Sequence, residues 1–383
     1  MAKKSELLTV VLFCIIILAC SLAFILVPDR AFSEQENRDL AQMPEYDNEK
    51  FFDGVFGSEM NLYFSDQFPL RDWFVRLKSG AELALLKGEN NGVLYSYDQL
   101  AVTDFNVYKG LNETVNTDRV FPELIKAQLG SVDRLGDNLS IPLVTVIPPR
   151  VIDIADNSFT YDRPDGDIAF ELMKETLDEN DNYIDTLSLL RKKYDNGEYV
   201  YYRTDHHWTT LGAYYTYCEI MKSLGKEDKI IPIDEFEIEQ IEDYSGTTQS
   251  KANFPIYKKD VLEIWHLPDD DEYQVIADGK DLGGFYNRDF LETTDKYSVF
   301  LDSTHNVTEI KKEGADRETL LIAKDSFANC LIPFLAREYN IVALNLNTFT
   351  TLSSFAEYYN ADAVLICYNT ENLITTPHLS KVR

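Results

Sequence analysis

Hydrophobic and polar positions divide this chain into three regimes. Leu7 to Val27 is apolar, carries no charge, and has only Thr9 and Ser21 as hydroxyl residues. As a helix this run spans about 30 Å, the thickness of a bilayer core. Residues 29–50 follow as a charged stem without clear periodicity. Over 58–87, Leu62, Phe64, Phe68, Phe74, Leu77, Leu83 and Leu86 recur among charges at helical spacing, with Pro69 as a break.

Beyond that stem the period alternates. Residues 119–136 predict a helix leading into Pro142–Ile147, a buried strand that stops at Pro148-Pro149. Helical patterns fill 167–195, a strand is expected at 198–202, and a helix from about 210 to Gly225. Strand-like runs return at 297–301, 319–323, 340–346 and 362–367. Residues 226–296 are irregular and rich in Asp and Gly, as expected of an insertion of strands and loops. Strands alternating with helices predict an α/β fold built on a mostly parallel sheet flanked by helices. The expected division is a signal anchor at 1–28, a membrane-proximal stem and helical segment at 29–95, and one α/β domain over 96–383.

Charge adds orientation. Lys3-Lys4 ahead of the apolar run favour a cytoplasmic N-terminus, leaving everything after Pro28 outside. A cleaved signal peptide is the rival, but no small-x-small site closes the run. Cys20 after Leu18-Ala19 hints at a lipoprotein site, and is discounted because the apolar run continues to Val27. A formal net charge of −29 excludes nucleic acid and polybasic adhesion to anionic lipid as partners. Cys218, Cys330 and Cys367 lie in apolar contexts and form no disulfide framework. The acidic tetrad Asp269–Glu272 has no EF-hand spacing and reads as a solvated loop. No metal or cofactor is expected. His206 and His207 joining His266 or His305 around an ion is a minor reading, because adjacent side chains rarely converge on one metal.

The chemistry concentrates in Asp205-His206-His207-Trp208, which holds two of only five histidines. If 203–207 is extended, Asp205 and His207 share a face while His206 points away. A carboxylate beside an imidazole fixes its tautomer and prepares a general base. The nucleophile candidate is Ser326. It follows the apolar run Thr319–Lys324 and precedes a helical reading of 327–337, tempered by Pro333. A serine at a strand-to-helix turn presents its hydroxyl beside unsatisfied N–H groups. On position alone, the better reading of Ser326 is the N-cap of that helix, where serine is favoured for ordinary reasons.

Together these segments carry a resemblance. Arg203–Tyr215, reading Arg-Thr-Asp-His-His-Trp-Thr-Thr-Leu-Gly-Ala-Tyr-Tyr, resembles the signature of the DHHW proteins. These are bacterial membrane-anchored relatives of the SGNH-hydrolase-like proteins that O-acetylate alginate and other exported polysaccharides. Lys324–Asn329 resembles their serine block, and Ser33–Arg38 and Ser65–Asp72 resemble two further blocks near the anchor. The resemblance implies an SGNH-like fold with permuted motif order, and a triad of Ser326 as nucleophile, His207 as base and Asp205 as its orienting group. It also implies an extracytoplasmic O-acetyltransferase working through an acetyl-serine on a cell-surface or exported polysaccharide. Its acetyl donor would be a membrane-bound O-acyltransferase partner. A deacetylase using the same triad, or a non-catalytic glycan-binding or assembly subunit, are the alternatives. Three departures bear on this. Lys324 stands where glycine is common, Phe300–Asn306 lacks a Gly-Asn pair, and Asn345-Leu-Asn347 replaces an Asp-x-Arg sequence.

Overall fold

The computed structural model describes residues 2–110, 113–117, 119–159, 167–177, 183–349 and 351–383. It divides into two compact units: Met1–Lys87 with Asn253–Pro255, and Gly88–Ala252 with Ile256–Arg383.

In the first unit, Ala2–Leu26 is one continuous helix. Its stretch from Lys4 to Leu26 is long and apolar enough to cross a membrane. The helices Val55–Asp66 and Arg71–Ala84 follow, broken around Pro69. The two stem segments singled out in the sequence hold each other. Arg38 forks onto Asp66 at 2.6 and 2.9 Å, and Arg71 reaches Glu36 at 2.5 Å. Asp66 is buried, so removing Arg38 would leave its charge to the longer Arg71 contact at 3.6 Å and the Ala41 N–H.

The second unit is built on an eight-stranded sheet. In spatial order its strands are Lys280–Asp281, Tyr273–Ala277, Val307–Lys312, Asn340–Asn345, Thr319–Lys324, Ala363–Cys367, Leu143–Val146 and Tyr183–Ile184. The last five run parallel to one another, and the first three join antiparallel. Leu-Val-Thr-Val at 143–146 and Ala-Val-Leu-Ile-Cys at 363–367 are buried at every position, as strands covered on both faces must be. Pro122–Asn138 shows the complementary helical stripe, burying Ile125, Leu129, Val132 and Leu135.

Thr319–Lys324 has a parallel neighbour on each side. The chain leaves it for Asn340–Asn345 on one flank, then crosses to Ala363–Cys367 on the other. A reversal of that kind opens a crevice at the carboxyl end of the strand where it occurs.

Several expected elements differ. Residues 198–202 form no strand, and contribute one antiparallel bridge between Tyr201 and Trp208. The strand expected at 297–301 is a 3-10 turn at Lys296–Val299. Beyond it Leu301, Asp302 and Ser303 take φ of 58°, 57° and 73°, a left-handed run no strand contains. The helix expected over 327–337 is two short turns, Ser326–Asn329 and Ile332–Leu335. Pro333 falls in the first turn of the second, where a missing N–H costs nothing. Residues 226–296 are not simply an insertion, because Tyr273–Ala277 and Lys280–Asp281 complete the main sheet. The acidic tetrad is not a free loop either: Asp269 pairs with Lys312 and Arg337, and Asp270 with Arg337. Part of the helical pattern expected at 167–195 lies outside the described residues. The rest forms the helices Ile168–Leu177 and Thr186–Asp195, with the edge strand Tyr183–Ile184 before the second.

Candidate active site

Asp205 and His207 meet through a turn and not an extended run, so the expected geometry of 203–207 is corrected. The Tyr201–Trp208 bridge closes a loop, with the Tyr202 N–H donating to the His207 carbonyl at 3.2 Å. Inside it the His207 backbone N–H donates to Asp205 Oδ1 at 3.0 Å, a local Asx-type turn. The same oxygen lies 2.6 Å from His207 Nδ1. Thr209 caps the following helix, Thr210–Ser223, accepting from the Gly212 N–H at 3.2 Å.

Ser326 arrives from the carboxyl end of Thr319–Lys324, and its Oγ lies 2.7 Å from His207 Nε2. Serine, histidine and aspartate thus form one chain of hydrogen bonds at the crevice mouth. Ser326 is not the N-cap. Asp325 fills that role, its Oδ1 accepting from the Phe327 N–H at 3.0 Å. The seryl hydroxyl is left for the imidazole.

The electrostatics set the proton positions. Asp205 is fully buried, and burial alone would raise its carboxyl. The imidazoles of His207 and His206 and the Thr247 N–H, donating at 2.8 Å, more than offset this and hold it well below the usual carboxylate range. An ionised Asp205 keeps the ring proton on Nδ1, leaving Nε2 to accept from Ser326. His206 does not point away, as an extended segment would require. Its ring centroid lies 3.8 Å from that of His207 and its Nδ1 is 2.7 Å from Thr247 Oγ1. Burial and the adjacent His207 push its pKa down.

Asp205, His206 and His207 also present ligand atoms within 4.8 Å of one another, close enough for an ion. Those atoms are already committed: Asp205 to His207 and Thr247, His206 Nδ1 to Thr247, and His207 Nε2 to Ser326. His266 is engaged by Asp270 and Glu239, and His305 faces Asp278 and Asp302.

Several residues of the site had no signal in the sequence. Thr247 and Gly246 brace Asp205 from inside the irregular region, and a Cβ on Gly246 would stand 2.3 Å from Asp205 Oδ2. Trp208, already part of the motif in the sequence, joins loop to serine turn, its Nε1 donating to the Phe327 carbonyl at 3.0 Å. Asn369 and Asn372, just past the Ala363–Cys367 strand, donate side-chain N–H groups to Asp325 Oδ2 at 2.6 and 2.9 Å. Both also line a cleft of about 300 Å³ beside Ser326, with His206, Thr247, Thr248 and Glu371. Lys324, where glycine was expected, points its Nζ at Asn329 Oδ1 (2.6 Å), with burial pushing its pKa down to about 8.

The family model described as DHHW protein matches residues 141–344, more than half of the chain and the span that holds all three residues. The chain belongs to the DHHW family. A solved DHHW family protein from Eubacterium siraeum shares its fold, at 17% identity and a TM-score of 0.54, covering 76% of this chain and 97% of that one. PatB1 of Bacillus cereus is similar at 17% identity and a TM-score of 0.60, covering 75% of this chain and 98% of its own. PatB1 has also been solved with a sulfonyl adduct. The O-acetyltransferase domain of Pseudomonas putida AlgJ is more distant, at 13% identity and a TM-score of 0.41, covering 66% and 84%. No curated protein matches the chain. The DHHW signature itself is the loop at 205–208, and its tryptophan is the residue that ties that loop to the serine turn.

Proposed function

We propose that this DHHW protein is a serine O-acetyltransferase acting outside the cytoplasmic membrane on a cell-surface or exported polysaccharide. The 2.7 Å contact of Ser326 Oγ with His207 Nε2, backed by the buried Asp205, carries the reading. His207 Nε2 takes the seryl proton as Oγ bonds to the acetyl carbonyl carbon. The oxyanion collapses, the donor's leaving group departs with the proton from His207, and acetyl-Ser326 remains. A sugar hydroxyl then gives its proton to His207, bonds to the acetyl carbon and expels Ser326 Oγ, which recovers the proton.

The oxyanion needs N–H donors beside Ser326 Oγ. The Phe327 N–H is already given to Asp325. The Ser326 N–H and the second N–H of the Asn369 and Asn372 amides are the better candidates, since each amide carries two donors and both line the cleft.

Ala2–Leu26 serves in this reading as an uncleaved anchor with the rest of the chain outside the cell. Nothing in a single span can carry acetyl groups across the bilayer, so a multi-spanning membrane-bound O-acyltransferase supplies the donor. The test is to incubate the full chain in detergent with p-nitrophenyl acetate, with and without an oligosaccharide acceptor. Acetylated sugar supports the transferase. Hydrolysis unaffected by any sugar makes the protein an esterase, and neither reaction makes it a binding subunit.

A further inference from the structure

The first unit wears its apolar face outward. In helix Arg71–Ala84, Trp73, Phe74 and Leu77 are 56%, 45% and 52% exposed, and Leu70 just before it is 73% exposed. Their spacing puts Trp73, Phe74 and Leu77 on one stripe, with Leu70 in the turn that leads into it. The other side of the same helix holds Ser79, fully buried, and Arg71, tied to Glu36. The preceding helix, Val55–Asp66, repeats the inversion. Phe64 stands exposed while Asp66 is buried against Arg38. A helix pair meant for water shows the reverse pattern, and a contiguous apolar stripe marks an interaction surface.

What covers the stripe follows from where the unit is tethered. Phe24, in the last turn of the Ala2–Leu26 helix, sets its ring 5.8 Å edge-on from Tyr63 and 5.4 Å from Phe64. The Tyr63 hydroxyl donates to Asp29 at 3.0 Å, and Arg30 forks onto Asp72 at 2.7 and 3.2 Å. Both helices are therefore pinned to the end of the apolar helix, at the depth where hydrocarbon meets headgroups once that helix spans a bilayer.

We infer that the outward face of Arg71–Ala84, with Phe64, lies in the interfacial layer of the bilayer that Ala2–Leu26 crosses. The inference rests on the anchor reading above. Tryptophan is the residue most at home in that layer. The chain's charge of −29 would repel an anionic surface, so apolar burial and not charge holds the face there, and zwitterionic lipid suffices.

Trp73 is its own reporter. The chain has three tryptophans, and Trp208 and Trp265 are buried at 0% and 3% exposure. The full chain is reconstituted into phosphatidylcholine nanodiscs whose acyl chains carry bromine near the glycerol end. Its emission is compared with that of Trp73→Phe, so that the difference belongs to Trp73. The expected difference emission is blue-shifted, largely lost on brominated lipid and insensitive to aqueous iodide. Emission quenched by iodide but not by bromine overturns the inference, as does emission shielded from both, which would mean that protein covers the face. Failure of the chain to co-elute with the discs overturns the anchor itself, whereas co-elution with a water-exposed Trp73 overturns only the interfacial placement.

Discussion

The ring of Tyr297 lies flat against the imidazole of His207, with centroids 3.8 Å apart and planes 10° from parallel. Tyr297 is buried, and its hydroxyl reaches the Ser326 carbonyl at 3.3 Å and Cys330 Sγ at 3.2 Å. One aromatic side chain therefore braces both the base and the turn that carries the nucleophile. Tyr297→Phe keeps the stack and loses only the hydroxyl's hold on the serine turn, so acetyl turnover should fall less than in a variant without the ring. Tyr297→Leu loses a stack worth about 0.5–1.5 kcal/mol, so kcat should fall by about 2–10-fold with KM little changed. Equal turnover in both variants would reduce Tyr297 to ordinary core packing.

Ser326→Ala and His207→Ala should each lower acetyl turnover by about three orders of magnitude or more. Asp205→Asn should cost as much or somewhat less, because it misorients the base without removing it. His206→Ala should be milder, since its hydrogen bond goes to Thr247 and not to Ser326. Asp325 does the capping, so Ser326→Ala should melt within about 0.5 kcal/mol of wild type. Full turnover in a folded Ser326→Ala chain would remove the serine from the chemistry.

Gly246 is a steric requirement of the site. A methyl there would stand 2.3 Å from both Cβ and Oδ2 of Asp205. Gly246→Ala should therefore displace Asp205 and reduce kcat at least as far as Asp205→Asn. Thr247→Val, which removes the hydroxyl shared by Asp205 and His206, should cost less, because the Thr247 backbone N–H still reaches Asp205. Circular dichroism separates either effect from unfolding. Wild-type turnover in Gly246→Ala would contradict the close approach.

Lys324 gives the protein a pH signature. Burial lowers its pKa from 10.5 to about 8 in the folded chain. Below about 8 both states hold the proton and the fold bears the full cost of a buried ammonium. Between about 8 and 10.5 the folded chain has released it while the unfolded chain still binds it, so stability climbs with pH. The total is on the order of 3 kcal/mol. Denaturant melts of wild type across that window should climb relative to Lys324→Met. Parallel curves would mean that Lys324 stays charged in the fold.

The sheet was legible because its interior strands are near-continuous apolar runs with a helix or a proline at their ends. The strands at 319–324, 340–345 and 363–367 fall within a residue or two of expectation. The pairing of Asp205 with His207 was legible too, though for an incorrect reason. An i, i+2 relation arises from an extended strand and equally from an Asx-type turn, and periodicity does not separate them. Illegible were the groups brought in by tertiary contact. Gly246 and Thr247 lie far along the chain from Asp205 in a stretch without period, Tyr297 opens a run that reads as a strand, and Asn369 and Asn372 look like an ordinary loop after a strand. The apolar spacing of 58–87 showed helices but not which face looked outward, since an interfacial helix and a soluble one share the same period.

The central claim is that Ser326 carries the acetyl group. The direct measurement is an acid-quenched intact-mass spectrum of the full chain pulsed with p-nitrophenyl acetate, followed by peptide mapping. One acetyl group on Ser326, discharged when an oligosaccharide acceptor is added and absent from Ser326→Ala and His207→Ala, is the predicted result. An unmodified Ser326 during turnover, or an acetyl group that the acceptor never removes, would contradict it.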